Sequence, residues 1–201
     1  MSSSAPAPGS ANTPAAPPAR QRILQAAGKL FYAHGVQAVG VDRVVASADV
    51  AKMSLYKHFK SKDDLVEAWL AQRDAWWFDW CEASVKRHAP AGGRARLLAV
   101  FDALEEWFLT PEYRGCAFIN IASELSDTAS PARRIAVEHT KRLGDLIHEW
   151  TIEAGEPDPI GTSMALTLLV EGAIVWAAMH NKPETARRAK RAAERVLGAA
   201  G

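Results

Sequence analysis

The sequence VDRVVASADVAKMSLYKHF, residues 41–59, decides the fold of the first part of the chain. Its apolar residues recur at helical spacing in two short runs, with residues 49–51 between them. This pattern predicts two short amphipathic helices joined by a tight turn. In that arrangement Val44, Leu55 and Phe59 bury against a preceding helix, and the opposite face of the second short helix is left exposed.

The exposed face of the second short helix carries side chains that suit a DNA groove. They are Lys52, Met53, Ser54, Tyr56 and Lys57. A helix fits the major groove of B-DNA, where base edges present hydrogen-bond acceptors, donors and thymine methyl groups. Cations and hydroxyls beside them can reach phosphates. The pattern therefore indicates a helix-turn-helix, while a solvated basic face on an ordinary helical hairpin is the competing interpretation that spacing alone leaves open.

The distribution of charge favours a polyanionic partner, although the net charge of the 201 residues is only +1. Residues 20–62 contain eight basic and two acidic side chains, whereas the remainder contains 16 basic and 21 acidic ones. A basic N-terminal module thus precedes an acidic body, and such asymmetry is typical of proteins that bind nucleic acid.

Composition indicates a globular protein of a reducing compartment. Hydrophobic residues make up 48% of the chain, which is enough for a core. Two cysteines, Cys81 and Cys116, do not form a disulfide framework. The N-terminus lacks a charged segment followed by an apolar one, and no uninterrupted apolar run reaches the roughly 18 residues that span a bilayer. A soluble, cytoplasmic protein without a membrane partner is expected.

Apolar periodicity predicts an all-α chain of about nine helices, and no strand pattern competes with it. Residues 1–19 are rich in Ala, Pro and Ser and carry no charge, so they are predicted to be a disordered tail. Residues 20–66 form the predicted helix-turn-helix domain, and residues 67–201 form the larger helical body. Ser61 is expected to cap the fourth helix, Ser130 to cap the seventh, and the sixth to cover roughly 114–125.

Residues 23–65 resemble the DNA-binding domain of the TetR/AcrR family of bacterial transcription regulators. The resemblance is carried by ILQAAGKLF at 23–31, Gly35, VDRVV at 41–45 and KMSLYKHFKSKDDL at 52–65. The run from Leu55 to Leu65 is the most specific part. Beyond residue 70 the resemblance weakens, although GCAFINIASEL at 115–125 is similar to a sequence seen in one subgroup.

The resemblance implies a homodimer whose three N-terminal helices bind a double-stranded DNA operator. By that resemblance Lys52, Met53 and Ser54 face base edges, and Tyr56, Lys57 and His58 lie on or near phosphate. Lys62, at the start of the fourth helix, contacts phosphate as well.

Three positions depart from the family pattern. Asp49 stands where the turn usually has glycine, but Asp tolerates a left-handed conformation better than most residues. Gly40 stands where Ser or Thr usually caps the second helix and touches phosphate; glycine is an acceptable N-cap but has no hydroxyl for that contact. Met53 replaces a frequent glycine, and its bulk favours contact with a thymine methyl.

The family also implies a small-molecule pocket inside the helical body, between the fourth and eighth helices. Such pockets are mostly apolar with a few placed polar groups. Aromatic and polar candidates to line it are Trp76, Trp80, Phe101, Phe118, Asn120, Glu124, His139 and Trp176. Core packing is the competing interpretation for each aromatic residue, and Trp76 and Trp77 cannot both face inward because they are adjacent.

Other functional classes have little support in the sequence. No His-Glu-x-x-His pair, Cys-x-x-Cys pair, glycine-rich phosphate loop or nucleophile elbow occurs, so no metal, cofactor or catalytic residue is predicted. A helical-bundle enzyme and a bundle that binds only protein remain as alternatives. The family default is a repressor released by a small apolar or aromatic effector. Dimerisation is expected through residues 160–197, where Gly172 would let a partner backbone approach.

Overall fold

A computed structural model describes residues 17–199. Within them the chain forms nine α-helices and no strand, which confirms the predicted fold class. The helices are α1 Ala19–His34, α2 Val41–Ala48, α3 Lys52–His58, α4 Lys62–His88, α5 Arg94–Phe108, α6 Ala117–Glu124, α7 Pro131–Glu153, α8 Pro159–His180 and α9 Thr185–Ala199. Most of the predicted tail, residues 1–16, lies outside the described residues, and α1 begins within its last part.

Local sequence signals set the ends of these helices. Gly35 ends α1 with φ +82°, a value that suits glycine. Ser61 caps α4 by accepting a hydrogen bond from the Asp64 amide, as predicted. Ser130 precedes α7 with Pro131 in its first turn, but it makes no side-chain cap hydrogen bond. The sixth helix begins three residues later than predicted, because residues 113–116 form a loop that contacts α1.

The helices form a small N-terminal module and a larger body, and both contribute to one continuous core. Helices α1, α2 and α3 pack together, and α4 runs from the module into the body. In the body α4 packs on α5 and α7, and α8 packs between α7 and α9. Long helix α4 is therefore the covalent connection through which the two parts influence each other.

Helix α8 is more apolar than expected, since the sequence predicted no apolar run long enough to span a bilayer. By length and composition it is apolar enough to cross a membrane, although Glu171 and several hydroxyl groups interrupt the run. One of its faces is buried against α7 and α9. The core helix of a bundle passes the same test, so this feature does not by itself indicate a membrane span.

Candidate nucleic-acid interface and the cleft beside it

Helix α3 is held in the module by two apolar side chains. Leu55 is fully buried and Phe59, which ends the helix, is nearly so. The opposite face is exposed: Met53 leaves 72% of its surface accessible, and Tyr56 is also exposed. Lys57 and His58 are exposed on the last turn. The amphipathic pattern read from the sequence is therefore present, with its polar and cationic face open to solvent.

The turn between α2 and α3 is made by Asp49 in the left-handed conformation, with φ 50° and ψ 56°. Arg22 of α1 supports it by donating a hydrogen bond to the Asp49 carbonyl at 3.0 Å. The turn thus survives the replacement of the usual glycine, as the sequence predicted.

Lys52, the first residue of α3, forms an ion pair with α2. Its ammonium group lies 2.7 Å from a carboxylate oxygen of Asp42 in α2. The hydrogen bond to that carboxylate raises the pKa of Lys52. No pattern within either helix indicated this pairing, because it joins α2 to α3.

Gly40 and Lys62 lie at the starts of the helices before and after α3. Gly40 is the N-cap of α2 and, lacking a side chain, makes no cap hydrogen bond. Lys62 is the first residue of α4 and is half-buried. Ser54 is half-buried in the first half of α3. The eight predicted DNA-binding residues thus lie on the start of α2, on α3 and on the start of α4.

A serine at position 40 should cap α2 better than glycine does. A Cβ atom there would meet no atom within 4 Å, and φ −80° with ψ 158° suits any residue. Gly40→Ser should stabilise the chain by a few tenths of a kcal/mol, roughly the difference between Ser and Gly caps. It should also bind DNA more tightly if this hydroxyl reaches phosphate. Thermal unfolding measures the change in stability and fluorescence anisotropy measures the affinity for DNA, with Gly40→Ala as control. Equal DNA affinities of the Ser and Ala variants would show that the hydroxyl makes no phosphate contact.

The predicted effector residues do not gather around one cavity. Phe101 and Phe118 are almost completely buried in the core of the body. Phe118 stacks on His139, with ring centroids 3.7 Å apart. His139 Nδ1 lies 2.7 Å from Asp74 Oδ1, and burial lowers the pKa of His139 despite that carboxylate. These side chains fill the interior.

Three other predicted residues have structural partners or lie at the surface. Glu124 accepts hydrogen bonds from the backbone amides of Val36 (3.0 Å) and Gln37 (2.5 Å), so its carboxylate ties α6 to the α1–α2 turn. Asn120 donates to the Arg114 carbonyl at 3.0 Å. Trp176 is exposed on α8.

A cavity of about 650 Å³ lies instead between the module and the body. We call it the α1–α4 cleft; its main walls are Gly28 and Tyr32 of α1, Trp69, Arg73 and Trp76 of α4, and Trp107 of α5. Trp76 is the one predicted effector residue in its lining, and Trp80 stacks on Trp76 with ring centroids 6.1 Å apart. Trp77 is buried and its neighbour Trp76 is exposed, in agreement with the expectation that the two cannot both face inward.

Sequence reasoning missed Arg73 and Tyr32. Trp69, Arg73 and Trp76 follow one another at spacings of four and three, so they share one face of α4. That spacing was a signal for the α4 wall. No pattern within α1 indicated that Tyr32 would face it, because the crossing of α1 over α4 is a tertiary feature.

Comparisons with known sequences agree with this architecture. Residues 23–69 match the family of bacterial regulatory proteins called tetR, and residues 93–193 match the tetracyclin repressor-like C-terminal domain. An HTH-type transcriptional regulator of Staphylococcus aureus (strain USA300) is 40% identical over 55 residues. That match covers 27% of this chain and only 29% of the relative's own length.

Solved structures extend the similarity over nearly the whole chain. A TetR-family transcriptional regulator from Streptomyces coelicolor superposes with a TM-score of 0.81 at 31% identity, covering 90% of this chain and 95% of that one. A TetR transcriptional regulator from Streptomyces avermitilis gives a TM-score of 0.80 at 30% identity, with coverages of 92% and 98%. Dimerisation, repression and ligand sensing are typical of such proteins. The chain therefore belongs to the TetR family of bacterial transcriptional regulators, which are non-enzymatic DNA-binding proteins.

Proposed function

We propose that this protein is a cytoplasmic repressor that binds a near-palindromic operator as a homodimer and is released by a small apolar or aromatic effector. The observation that carries the DNA-binding part is the exposed face of α3, backed by buried Leu55 and Phe59. It lies within the basic part of the chain, which suits a polyanion.

The proposed contacts divide into two classes. Met53 and Ser54, at the start of α3, read base edges together with Lys52 once it has left Asp42. Tyr56, Lys57, His58 and Lys62 lie on or near phosphate. Phosphate contacts fix the position of the module on the duplex, and base contacts carry the sequence preference.

Removing a phosphate-binding lysine should weaken binding to all sequences alike. Lys57→Ala and Lys62→Ala should each lower the salt dependence of the binding constant by about one unit, because fewer counterions are released. The probe is a DNA fragment that contains an inverted repeat and comes from the region upstream of the gene. Protein binding to it is titrated by fluorescence anisotropy at several salt concentrations. Lys86→Ala, an exposed lysine near the far end of α4, is the matched control. Unchanged affinity and slope in both variants would refute the phosphate assignment.

The dimer is proposed to form through α8 and α9. One face of α8 is buried in the protomer, while the other exposes a continuous apolar strip along the helix. The strip, called here the α8 strip, consists of Ile160, Met164, Leu168, Val175, Trp176 and Met179. Gly172 lies within it, and a Cβ there would meet no atom of its own protomer. Two-fold pairing of such faces would set the recognition helices about 34–36 Å apart, one turn of DNA.

Release by an effector requires different affinities for the free and DNA-bound states. Helix α4 supports such coupling because it begins beside α3 and ends in the body. A typical coupling of about 1–3 kcal/mol would lower operator affinity about 5–150-fold, and the operator would weaken effector binding by the same factor. Titrating an effector with and without operator tests this: equal effector affinities would exclude the sensor mechanism and leave the DNA-binding proposal intact.

A further inference from the structure

The α1–α4 cleft has the size of a small-molecule site. Its volume of about 650 Å³ lies within the range of about 300–1,000 Å³ that ligand pockets occupy. One wall belongs to the DNA-binding module and the other to the body. It is thus distinct from the pocket inside the body that the family resemblance implies. Three of the residues expected to line that pocket, Phe101, Phe118 and His139, are buried in the core instead.

Arg73 is the central polar group of the cleft. Its guanidinium lies 4.6 Å from the ring centroid of Tyr32 and 4.6 Å from that of Trp76. In the described part of the chain, no carboxylate lies within salt-bridge distance of it. Burial lowers the pKa of Arg73 and raises that of Tyr32. A partly desolvated cation without an acidic partner is costly, and an anion in the cleft would offset that cost.

The other charges and rings of the cleft narrow the chemistry of the occupant. Two further cationic residues, Lys29 and Arg114, and one anionic residue, Glu112, line the cleft. The cleft therefore carries an excess of positive charge. The lining includes three indole rings and one phenol ring, of which the Trp76 ring is 46% exposed: Trp69, Trp76, Trp107 and Tyr32. Flat rings stack well on flat ligands. An anionic group attached to an aromatic ring satisfies both features.

We propose that the α1–α4 cleft binds a planar aromatic carboxylate, with the carboxylate on Arg73 and the ring against Trp76 and Trp107. This inference rests on the proposed function, because it assigns the location and the chemical class of the effector. A guanidinium pairs with a carboxylate through two parallel hydrogen bonds. Arg73 keeps its cationic face on the rings of Tyr32 and Trp76 while doing so, since stacking uses the face and pairing uses the edge.

Binding at this place acts on the DNA-binding module directly. Gly28 of α1 lies so close to Trp69 of α4 that a Cβ would come within 2.8 Å of the indole nitrogen. Tyr32 donates a hydrogen bond to the Gly115 carbonyl at 2.8 Å and accepts one from the Arg114 amide at 3.0 Å. A ligand between α1 and α4 must adjust to these contacts, so it changes the angle at which the module leaves the body.

The experiment uses the full-length dimer, 2-naphthoate as probe and 2-naphthamide as its neutral counterpart. Quenching of tryptophan fluorescence and calorimetry measure both affinities. We expect the acid to bind at least about tenfold more tightly than the amide, because a hydrogen bond to a charged group contributes more than one to a neutral group. No binding of the acid at millimolar concentration, or equal binding of acid and amide, would overturn the proposal.

Variants locate the site. Arg73→Met should remove the preference for the acid, Arg73→Lys should retain part of it because the charge remains, and Arg134→Met on the exposed face of α7 should behave as wild type. Undiminished preference in Arg73→Met would place the acid elsewhere and overturn the assignment. Operator binding without ligand is measured on the same samples. If it is absent while the acid still binds through Arg73, the proposed function fails and the binding site stands.

Discussion

A Leu168→Glu chain should sediment as a monomer at micromolar concentration and should lose tight binding to a palindromic operator. Leu168 lies near the middle of the α8 strip and leaves 62% of its surface exposed in the protomer. In the proposed dimer each partner would bury one unpaired carboxylate at this position. An unpaired buried charge costs about 3–5 kcal/mol, so the dimer dissociation constant should rise at least about 100-fold.

The matched control for this variant is Val137→Glu. Val137 is also an exposed apolar residue, but it lies on α7 and is not part of the α8 strip. Sedimentation velocity and operator anisotropy on both variants separate a specific interface from a general response to added charge. A Leu168→Glu chain that remains dimeric would place the interface on another surface.

A Phe118→Ala chain should lose about 3–5 kcal/mol of its free energy of unfolding, as is typical when a buried phenylalanine is truncated. Phe118 exposes 1% of its surface and stacks on His139. Its removal leaves a cavity beside the His139 ring, whose Nδ1 is hydrogen-bonded to Asp74. Denaturant unfolding measures the loss.

Phe118→Leu is the control, because it keeps an apolar side chain and most of the volume. It should cost less than about 1.5 kcal/mol. If Phe118→Ala instead kept its stability and bound an effector more weakly, Phe118 would line a pocket, as the family resemblance implied. The pair of variants thus distinguishes a core residue from a ligand contact.

Much of the DNA-binding module could be predicted from sequence because its determinants are local. Helical periodicity placed Leu55 and Phe59 inward and Met53 outward, and the left-handed turn at Asp49 followed from the conformational preference of Asp. The Ser61 cap and the end of α1 at Gly35 are likewise signals within a few residues. The ion pair between Lys52 and Asp42 escaped prediction, because it joins two helices and depends on the turn that sets their angle.

The cavity could not be predicted in the same way. Phe101 and Phe118 look equally suited to a core and to a pocket, since both environments favour aromatic side chains. Whether Glu124 meets a ligand or a backbone amide depends on the approach of α6 to the α1–α2 turn, a contact between residues 88 positions apart. Burial and close approach of distant segments decide such questions, and a single sequence records them weakly.

The hydrogen bonds from Val36 and Gln37 to Glu124 bear on the engineering of chimaeric regulators. A graft of residues 20–66 onto the body of another protein would transfer the DNA-binding module without Glu124 of α6, which accepts these two hydrogen bonds. Val36 is buried, so its amide would be left without a partner at a cost of about 1–3 kcal/mol, whereas the amide of exposed Gln37 can bind water instead. The graft would also lose Trp69, against which Gly28 is fitted. The DNA-binding module therefore cannot be exchanged between family members without regard to the body. A functional hybrid needs a carboxylate at the position of Glu124 and an indole at that of Trp69.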